Sequence, residues 1–288
     1  MKFTIAIPNF NGQELLKKNL PNILNGGADE VLVIDDKSSD DSVEVLKKEF
    51  SKVRLLENKV NLGFISTVNK LFDEALGEVV VLLNSDVWVE KDFLKPLYPH
   101  FKNNKVFAVN LHEKGAGPAV AFWKDGFFQY QSGLEKNVLQ KSSWASGGSA
   151  AYSKKLWQRM GGFDKLFDPF YFEDLDLSFR AIKAGLDILW EPNSIVYHQH
   201  ESTISKTFSK RYVDWVKQRN QLLFIWKNIK DPKLIKDHKK NLLKRLFGGL
   251  GIGYWIPFLW ALLKIPHIKH NPTQEVLSDQ EAIDYAIS

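Results

Sequence analysis

The chain has no cysteine among its 288 residues. Disulfides and thiolate metal sites are therefore excluded, and a reducing compartment is compatible with the composition. It has no internal repeat and no low-complexity segment. The opening run Lys2-Phe3-Thr4-Ile5-Ala6-Ile7-Pro8 lacks the basic region, long apolar region and cleavage site of a signal peptide, so a cytoplasmic location is the expectation. The chain is also short of membrane-spanning material. Leu246–Leu263 carries no charge, but it stops at 18 residues, where a spanning helix needs about 20. Gly248, Gly249, Gly251, Gly253 and Pro257 weaken it further as a straight helix.

What is present is ordinary for a globular protein, with 44% hydrophobic and 25% charged residues, enough for one sizeable core with an appendage. The net charge of +5 is unevenly spread. Residues 1–200 carry 24 Lys/Arg against 26 Asp/Glu, residues 201–270 carry 15 against 4, and 271–288 carry none against 4. The basic character thus belongs to one block, which implies an anionic partner for that block alone.

Short apolar runs at Phe3–Pro8, Glu30–Ile34, Val53–Leu56 and Val79–Leu83 alternate with helix-like stretches at Gln13–Leu24, Ser42–Phe50 and Ile65–Leu76. That alternation predicts βαβ units and a mostly parallel sheet. Residues 110–150 read as a mixed, partly antiparallel half, with strands near Pro118–Trp123 and Phe127–Gln131. Residues 153–160 and 174–184 read as helices, and Asp187–Trp190 and Ser194–His198 as strands. Residues 208–230 read as a basic amphipathic helix with Tyr212, Trp215, Leu222, Leu223 and Trp226. Leu246–Leu263, flanked by Lys244-Arg245 and Lys264 and carrying Trp255 and Trp260, reads as a re-entrant or interfacial membrane element. A buried core helix or a dimer interface is the alternative for it. The tail from 271 reads as a mobile acidic end.

Four clusters follow apparent strands, and ligands of open α/β sheets bind at strand carboxyl ends. Pro8-Asn9-Phe10-Asn11-Gly12 ends the first strand, and a plain βα turn is its bland reading. Asp35-Asp36-Lys37-Ser38-Ser39-Asp40-Asp41-Ser42 ends the second. Helix capping accounts for Asp40 and Asp41, but not for two carboxylates closing a hydrophobic strand. Asn84-Ser85-Asp86 ends a strongly apolar strand and offers oxygen to a hard cation, or Asp86 merely caps a turn. Glu173-Asp174-Leu175-Asp176 opens a helix. Asp176 is spaced to pair with Arg180, while Asp174 points about 200° away around the helix and is left for a general base. His198 and His200 would share a strand face, and one of them near Asp86 could complete a metal site.

These motifs, in this order, resemble those of family 2 glycosyltransferases, especially the rhamnosyltransferase-like group acting on lipid-linked or cell-surface glycans. The matching stretches are IPNFNG (7–12), VLVIDDKSSDDS (31–42), ENKVNLGFISTVNKL (57–71), VVVLLNSDV (79–87), SGGSAAYSKKLWQRMGGFDKLF (146–167), FYFEDLDLSFRAIKAG (170–185) and VYHQHEST (196–203). The resemblance, over roughly residues 3–230, implies an α/β GT-A fold, Rossmann-like and mostly parallel with flanking helices. Together with the changes of charge and hydropathy along the chain, it divides the protein into a catalytic domain over 1–207, a basic and apolar helical segment over 208–270 that is expected to be membrane-associated, and an acidic tail over 271–288.

The resemblance also assigns roles. Pro8, Asn9, Asn11, Asp36, Asn61, Gly63, Asn84, Ser85 and Asp86 would bind the nucleotide sugar, UDP- or dTDP-linked by preference. Asn84 stands where the family's Asp-x-Asp motif has its first Asp. Asp86 and His198 would hold Mg²⁺ or Mn²⁺. Asp174 would be the catalytic base, and Trp144, Gly147, Gly148 and Glu173 would line the site of a glycan or lipid-linked acceptor. The Gln-x-x-Arg-Trp signature of processive members is absent, Gln218-Arg219-Asn220 not matching it, so transfer of a single sugar is expected.

Other readings fit less well. A nucleotidyltransferase would show a Gly-rich, basic loop near the N-terminus, and Pro8–Gly12 has one glycine and no Lys or Arg. Retention of Asp36, Asp86, Asp174 and His198 together argues against a non-catalytic descendant. The apolar run inside the basic block suits a bilayer at the inner face of the cell membrane better than nucleic acid.

Overall fold

A computed structural model describes residues 1–198, 207–248, 252–269 and 274–287. In chain order the elements are β1 (Phe3–Asn9), α1 (Gln13–Leu24), β2 (Glu30–Asp35), α2 (Ser42–Glu49), β3 (Arg54–Glu57), α3 (Phe64–Glu74), β4 (Val79–Leu83), β5 (Val87–Val89) and β6 (Val106–Glu113). They continue with the hairpin β7 (Ala119–Lys124) and β8 (Phe127–Ser132), then β9 (Gln140–Lys141), β10 (Ser149–Ser153), α4 (Lys154–Met160), α5 (Glu173–Lys183) and β11 (Asp187–His198). The last helices are α6 (Lys210–Asn228), α7 (Pro232–Phe247), α8 (Ile252–Lys264) and α9 (Asp279–Ile283).

The sheet runs β3-β2-β1-β4-β10-β6-β11-β5, with β9 on the side of β11. Its first half is parallel, Thr4 facing Glu30 and Phe3 facing Val79. Its second half is mixed, because β10 lies antiparallel to both β4 and β6. The sheet as a whole is thus less parallel than the βαβ pattern predicts. Two-residue alternation sorts the parallel strands between two cores. Phe3, Ile5, Ile7, Val31, Val33, Val79 and Val81 pack on one face. Ala6, Leu32, Ile34, Val80 and Leu82 pack on the other, under α3.

Several expectations change. The two strands read at 187–190 and 194–198 are one strand, β11, whose register against β6 shifts between Glu191 and Ile195. Pro192 sits in that shift, without an N–H for the ladder. Helix α6, read as basic and amphipathic, buries Leu222, Leu223, Phe224 and Ile225 in the core, and its basic Arg219 and Lys227 are buried with them. The uncharged run Leu246–Leu263 is split between the end of α7 and α8, and no helix among the described residues is long and apolar enough to cross a membrane.

The described part of the acidic tail, residues 274–287, is docked rather than mobile. Ser278 and Glu281 form a capping box on α9, and Ala282, Ile283 and Tyr285 are buried. Asp279 accepts bonds from Lys183 Nζ and from the backbone N–H groups of Lys230 and Asp231. Sequence spacing gives no sign of a partner that lies 96 residues away.

Candidate active site

The site is built at the carboxyl ends of β1, β2 and β4. Asn9 closes β1 and donates to Asp35 Oδ1 (2.8 Å), while its own buried Oδ1 has no partner among the described residues. A side chain at Gly12 would come within 2.4 Å of that Oδ1, so only glycine lets the turn pass so closely. Asn11, at φ +52°, accepts from the Ser39 backbone N–H (2.7 Å) and so ties the first loop to the second. Pro8, one residue earlier, is half-buried. Asp40 caps two helices at once, accepting from the N–H groups of Gln13 and Ser42.

Asp36 is nearly fully buried, and its carboxylate organises the next loop. It accepts from Asn58 Nδ2 and from the N–H groups of Leu62 and Gly63, each at 2.8 Å. Asn61 Oδ1 accepts from the same Gly63 N–H at 3.1 Å, and Gly63 takes a φ of +81° as it opens α3. Asp36, Asn61 and Gly63, spread over 27 residues of sequence, are therefore one cluster.

At the end of β4, the Asn84 N–H donates to Gly148 O (2.9 Å). A Cβ on Gly148 would meet Asn84 Nδ2 at 2.4 Å, so Gly148 is what allows the Asn84 amide to lie across the backbone. The Gly147 N–H donates to Asp174 Oδ2 at 3.2 Å. Asn84, Gly148, Gly147 and Asp174 thus form a continuous chain of contacts. Ser85 adjoins Gly12, a Cβ on which would lie 3.4 Å from Ser85 Oγ. Asp86 is buried and pairs with His198 Nε2 at 2.9 Å; Glu113 Oε2 lies 3.3 Å from His198 Nδ1. Burial disfavours a charged ring at His198, but the two carboxylates outweigh it and raise its pKa to about 9. His200 lies outside the described residues.

Asp174 and Asp176 separate as their helical spacing predicts. Asp176 is fully buried and accepts from Arg180 Nε (2.8 Å), Lys227 Nζ (2.9 Å) and Asn228 Nδ2 (2.8 Å). Burial acts to raise its pKa, but Arg180 and Lys227 hold it below the usual carboxylate value. Among the described residues no such cation accompanies Asp174. Burial raises its pKa, against the lowering effect of bonds from the Leu175 and Gly147 N–H groups. Glu173 beside it is buried, and its Oε2 has no partner among the described residues. Burial and the charge of Asp174 push its pKa well up. Cations thus favour the charged form of Asp176, while burial favours the neutral form of Asp174 and Glu173.

The backbone entering this helix is constrained. Tyr171 and Phe172 have φ of +67° and +76°, the left-handed region that bulky residues rarely adopt. Asn220 on α6 holds that turn. Its amide nitrogen lies within hydrogen-bond distance of the carbonyls of Phe167 (2.8 Å), Phe170 (3.0 Å) and Tyr171 (2.8 Å). Arg219 donates to the Asp168 carbonyl.

Trp144 is half-buried beside Tyr130, their ring centroids 5.1 Å apart, and Tyr130 also edges onto Phe172 at 6.0 Å. Burial, with the charge of Asp174 second, raises the Tyr130 phenol to about 12. Sequence reasoning missed Tyr130, Glu113, Asn58 and Asn220. Asn58 lies inside the family-like stretch 57–71 and Asn220 within the Gln218-Arg219-Asn220 run that departs from the processive signature, whereas Tyr130 and Glu113 carry no local signal. Among the described residues, no group of three or more His, Asp or Glu side chains converges to hold a metal ion.

The glycosyl transferase family 2 profile matches residues 4–161, which carry the strand-end clusters from Pro8 to Gly148. The chain belongs to this family and is a glycosyltransferase. It is 26% identical over 235 residues to the O-antigen chain rhamnosyltransferase RfbN of Salmonella typhimurium, covering 74% of this chain and 71% of that one. Two solved structures share its fold. GalNAc-T7 with UDP, GalNAc and Mn²⁺ superposes with a TM-score of 0.66 at 15% identity, over 95% of this chain but 58% of that one. TarS of S. aureus with UDP-GlcNAc superposes with a TM-score of 0.62 at 16% identity, over 93% of this chain and 82% of that one. The architecture is therefore GT-A-like, a mixed sheet with flanking helices.

Proposed function

We propose that the chain is an inverting glycosyltransferase that moves one sugar from a nucleotide-diphosphate sugar to a hydroxyl of a glycan or lipid-linked acceptor. The observation that carries this reading is the unbroken contact from Asn84 through Gly148 and Gly147 to Asp174. It sets a candidate diphosphate site beside a carboxylate with a raised pKa.

On this reading the nucleotide lies along Pro8, Asn9, Asn11, the Asp36-anchored loop with Asn61 and Gly63, and Asn84-Ser85-Asp86. UDP- or dTDP-sugars are favoured, in line with the UDP of the GalNAc-T7 and TarS structures. The acceptor rests against Gly147, Gly148, Glu173 and Trp144. Asp174 takes the proton from its hydroxyl, and the oxygen attacks the anomeric carbon opposite the leaving diphosphate, so configuration inverts. A raised pKa suits a base that must both accept and release this proton near neutrality.

Asp86 and His198 are the residues that would hold a divalent cation. Their donor atoms, 2.9 Å apart, are paired by a hydrogen bond, and the imidazole would bind a cation only after giving up that proton. Two protein ligands leave room for diphosphate oxygens. Bound there, Mg²⁺ or Mn²⁺ would supply charge neutralisation of the departing diphosphate. The enzyme then works in the cytoplasm at the inner face of the cell membrane, held there through residues 208–270.

The test is a thermal-shift screen of nucleoside diphosphates with and without Mn²⁺ or Mg²⁺. A metal-dependent shift with one nucleotide, absent from Asp86→Ala, supports the reading and names the base. A folded protein that shifts with none of them overturns it.

A further inference from the structure

We propose that the outer face of α7 and α8 is a docking surface for an anionic lipid bilayer. The proposal rests on the membrane-peripheral reading and assigns it to particular residues and a lipid chemistry. Residues 238–274 contain no Asp or Glu, but they contain Lys239, Lys240, Lys244, Arg245, Lys264 and Lys269. On α7, Lys233, Lys236, Lys240, Lys244 and Phe247 recur at three- and four-residue steps and so share one face. All five are exposed, with Phe247 at 74%, and Leu243 beside them is exposed too.

Helix α8 is apolar on both sides. Its inner side buries Tyr254, Pro257 and Ala261. Its outer side presents Ile256, Leu259 and Leu263 at three- and four-residue spacing, the last 76% exposed. A helix that is hydrophobic all round belongs in a protein core or in contact with lipid, and among the described residues α8 packs against protein on one side only. Trp255 bridges the two helices, its ring 5.5 Å from that of Phe247 and its Nε1 donating to the Leu246 carbonyl. It supplies the amphipathic ring that favours a membrane interface.

Charge selects the occupant. In a two-fold pair of copies meeting through this face, the same lysines would confront each other, since the one acid of α7, Asp237, is half-buried and engaged by Trp123 Nε1 and Asn241 Nδ2. An anionic bilayer takes the lysines at its headgroups and the leucines and phenylalanine at its acyl boundary. The surface is also firmly seated on the catalytic domain. The Arg219 guanidinium lies 3.9 Å over the Trp260 ring of α8, and the same Arg219 holds the Asp168 carbonyl of the turn leading to Asp174. Docking on this face therefore sets the orientation of the Asp174 cleft toward the bilayer.

The experiment is co-sedimentation of the full chain with vesicles of phosphatidylcholine alone and of phosphatidylcholine mixed with phosphatidylglycerol, at low and high salt. Binding only to the mixed vesicles, weakened by salt, is expected. The double variant Lys240→Glu/Lys244→Glu should lower the partition coefficient at least about tenfold, and Leu259→Glu/Leu263→Glu should abolish binding. Both variants are checked for folding by circular dichroism and for the metal-dependent nucleotide shift. Wild-type protein that shifts with nucleotide but stays off both vesicles overturns the lipid proposal and leaves the transferase reading intact. Vesicle binding without any nucleotide shift does the reverse. Binding that ignores phosphatidylglycerol and all four substitutions overturns the proposal. So does a dimer, seen by light scattering, that Leu259→Glu/Leu263→Glu dissolves.

Discussion

His198 and Asp86, 112 residues apart in sequence, meet at 2.9 Å between Nε2 and Oδ1, with Glu113 against the other ring nitrogen. The two carboxylates lie on opposite sides of one imidazole, so only one of them can share a cation with Nε2. Chelation with EDTA is expected to remove the thermal shift given by the nucleoside diphosphate, and Asp86→Ala to remove it at any Mn²⁺ concentration. At 100 times the dissociation constant, the lost stabilisation is about 2.7 kcal/mol. A shift that survives EDTA would show that donor binding needs no cation.

Asp174 carries the next prediction. Asp174→Asn keeps the size of the side chain but cannot take a proton. Its kcat should fall by about 10²- to 10⁴-fold, while the nucleotide shift stays unchanged. Because burial raises this carboxyl's pKa, the wild-type rate should rise with pH through a value above the ordinary 3.8. That limb should be missing from the residual activity of the variant. A variant that retains full turnover would move the base elsewhere.

Glu173 should reveal itself in stability. Its folded pKa lies well above the unfolded 4.5. Between those values the folded state binds more protons than the unfolded state, so stability falls as pH rises through this window. Glu173→Gln removes that proton exchange. The variant is expected to melt above the wild type at neutral pH and to converge with it below pH 4.5. Equal melting temperatures across the whole range would mean that Glu173 is solvated or paired in solution.

Asn220→Ala takes one amide away from three carbonyls in the turn before Asp174. Leaving buried carbonyls unpaired costs about 1–3 kcal/mol. The positive φ values at Tyr171 and Phe172 then lose their restraint, and displacement of the base should lower kcat by up to about 10²-fold. Donor KM should barely change, since Asn220 touches none of the nucleotide-site residues. Asn220→Asp should be worse, because it turns a carboxylate toward the same oxygens.

The parallel half of the sheet was legible because its inner strands β1, β2 and β4 are buried and bounded by turn residues, as at Val79–Leu83 before Asn84. The separation of Asp174 from Asp176 followed from helical geometry alone. What stayed hidden depended on long-range partners. Nothing near Tyr130 in sequence announces Asp174, and nothing near Glu113 announces His198. Helix α6 read as amphipathic and basic because Arg219 and Lys227 count as surface charges in a sequence. In the fold Lys227 lies between Asp164 and Asp176, and Arg219 lies against Trp260. The tail looked mobile for the same reason, its acids having a buried cation that spacing cannot reveal.

That cation, Lys183, supplies the last prediction. It is 3% exposed and held by Asp279, with Glu275 at 3.0 Å as a second, more exposed partner. Removing one member of a buried ion pair costs about 3–5 kcal/mol, since the other charge is left in a poorly solvated place. Asp279 also caps the N–H groups of Lys230 and Asp231 at the junction of α6 and α7. Asp279→Ala should therefore destabilise by at least about 3 kcal/mol, even with Glu275 in place. Glu275→Ala, at the solvent edge of the same cluster, should cost less than about 1 kcal/mol. Chemical denaturation of the two variants measures the difference. If they lose the same stability, the tail is held by Ile283 and Tyr285 in the core rather than by its charge.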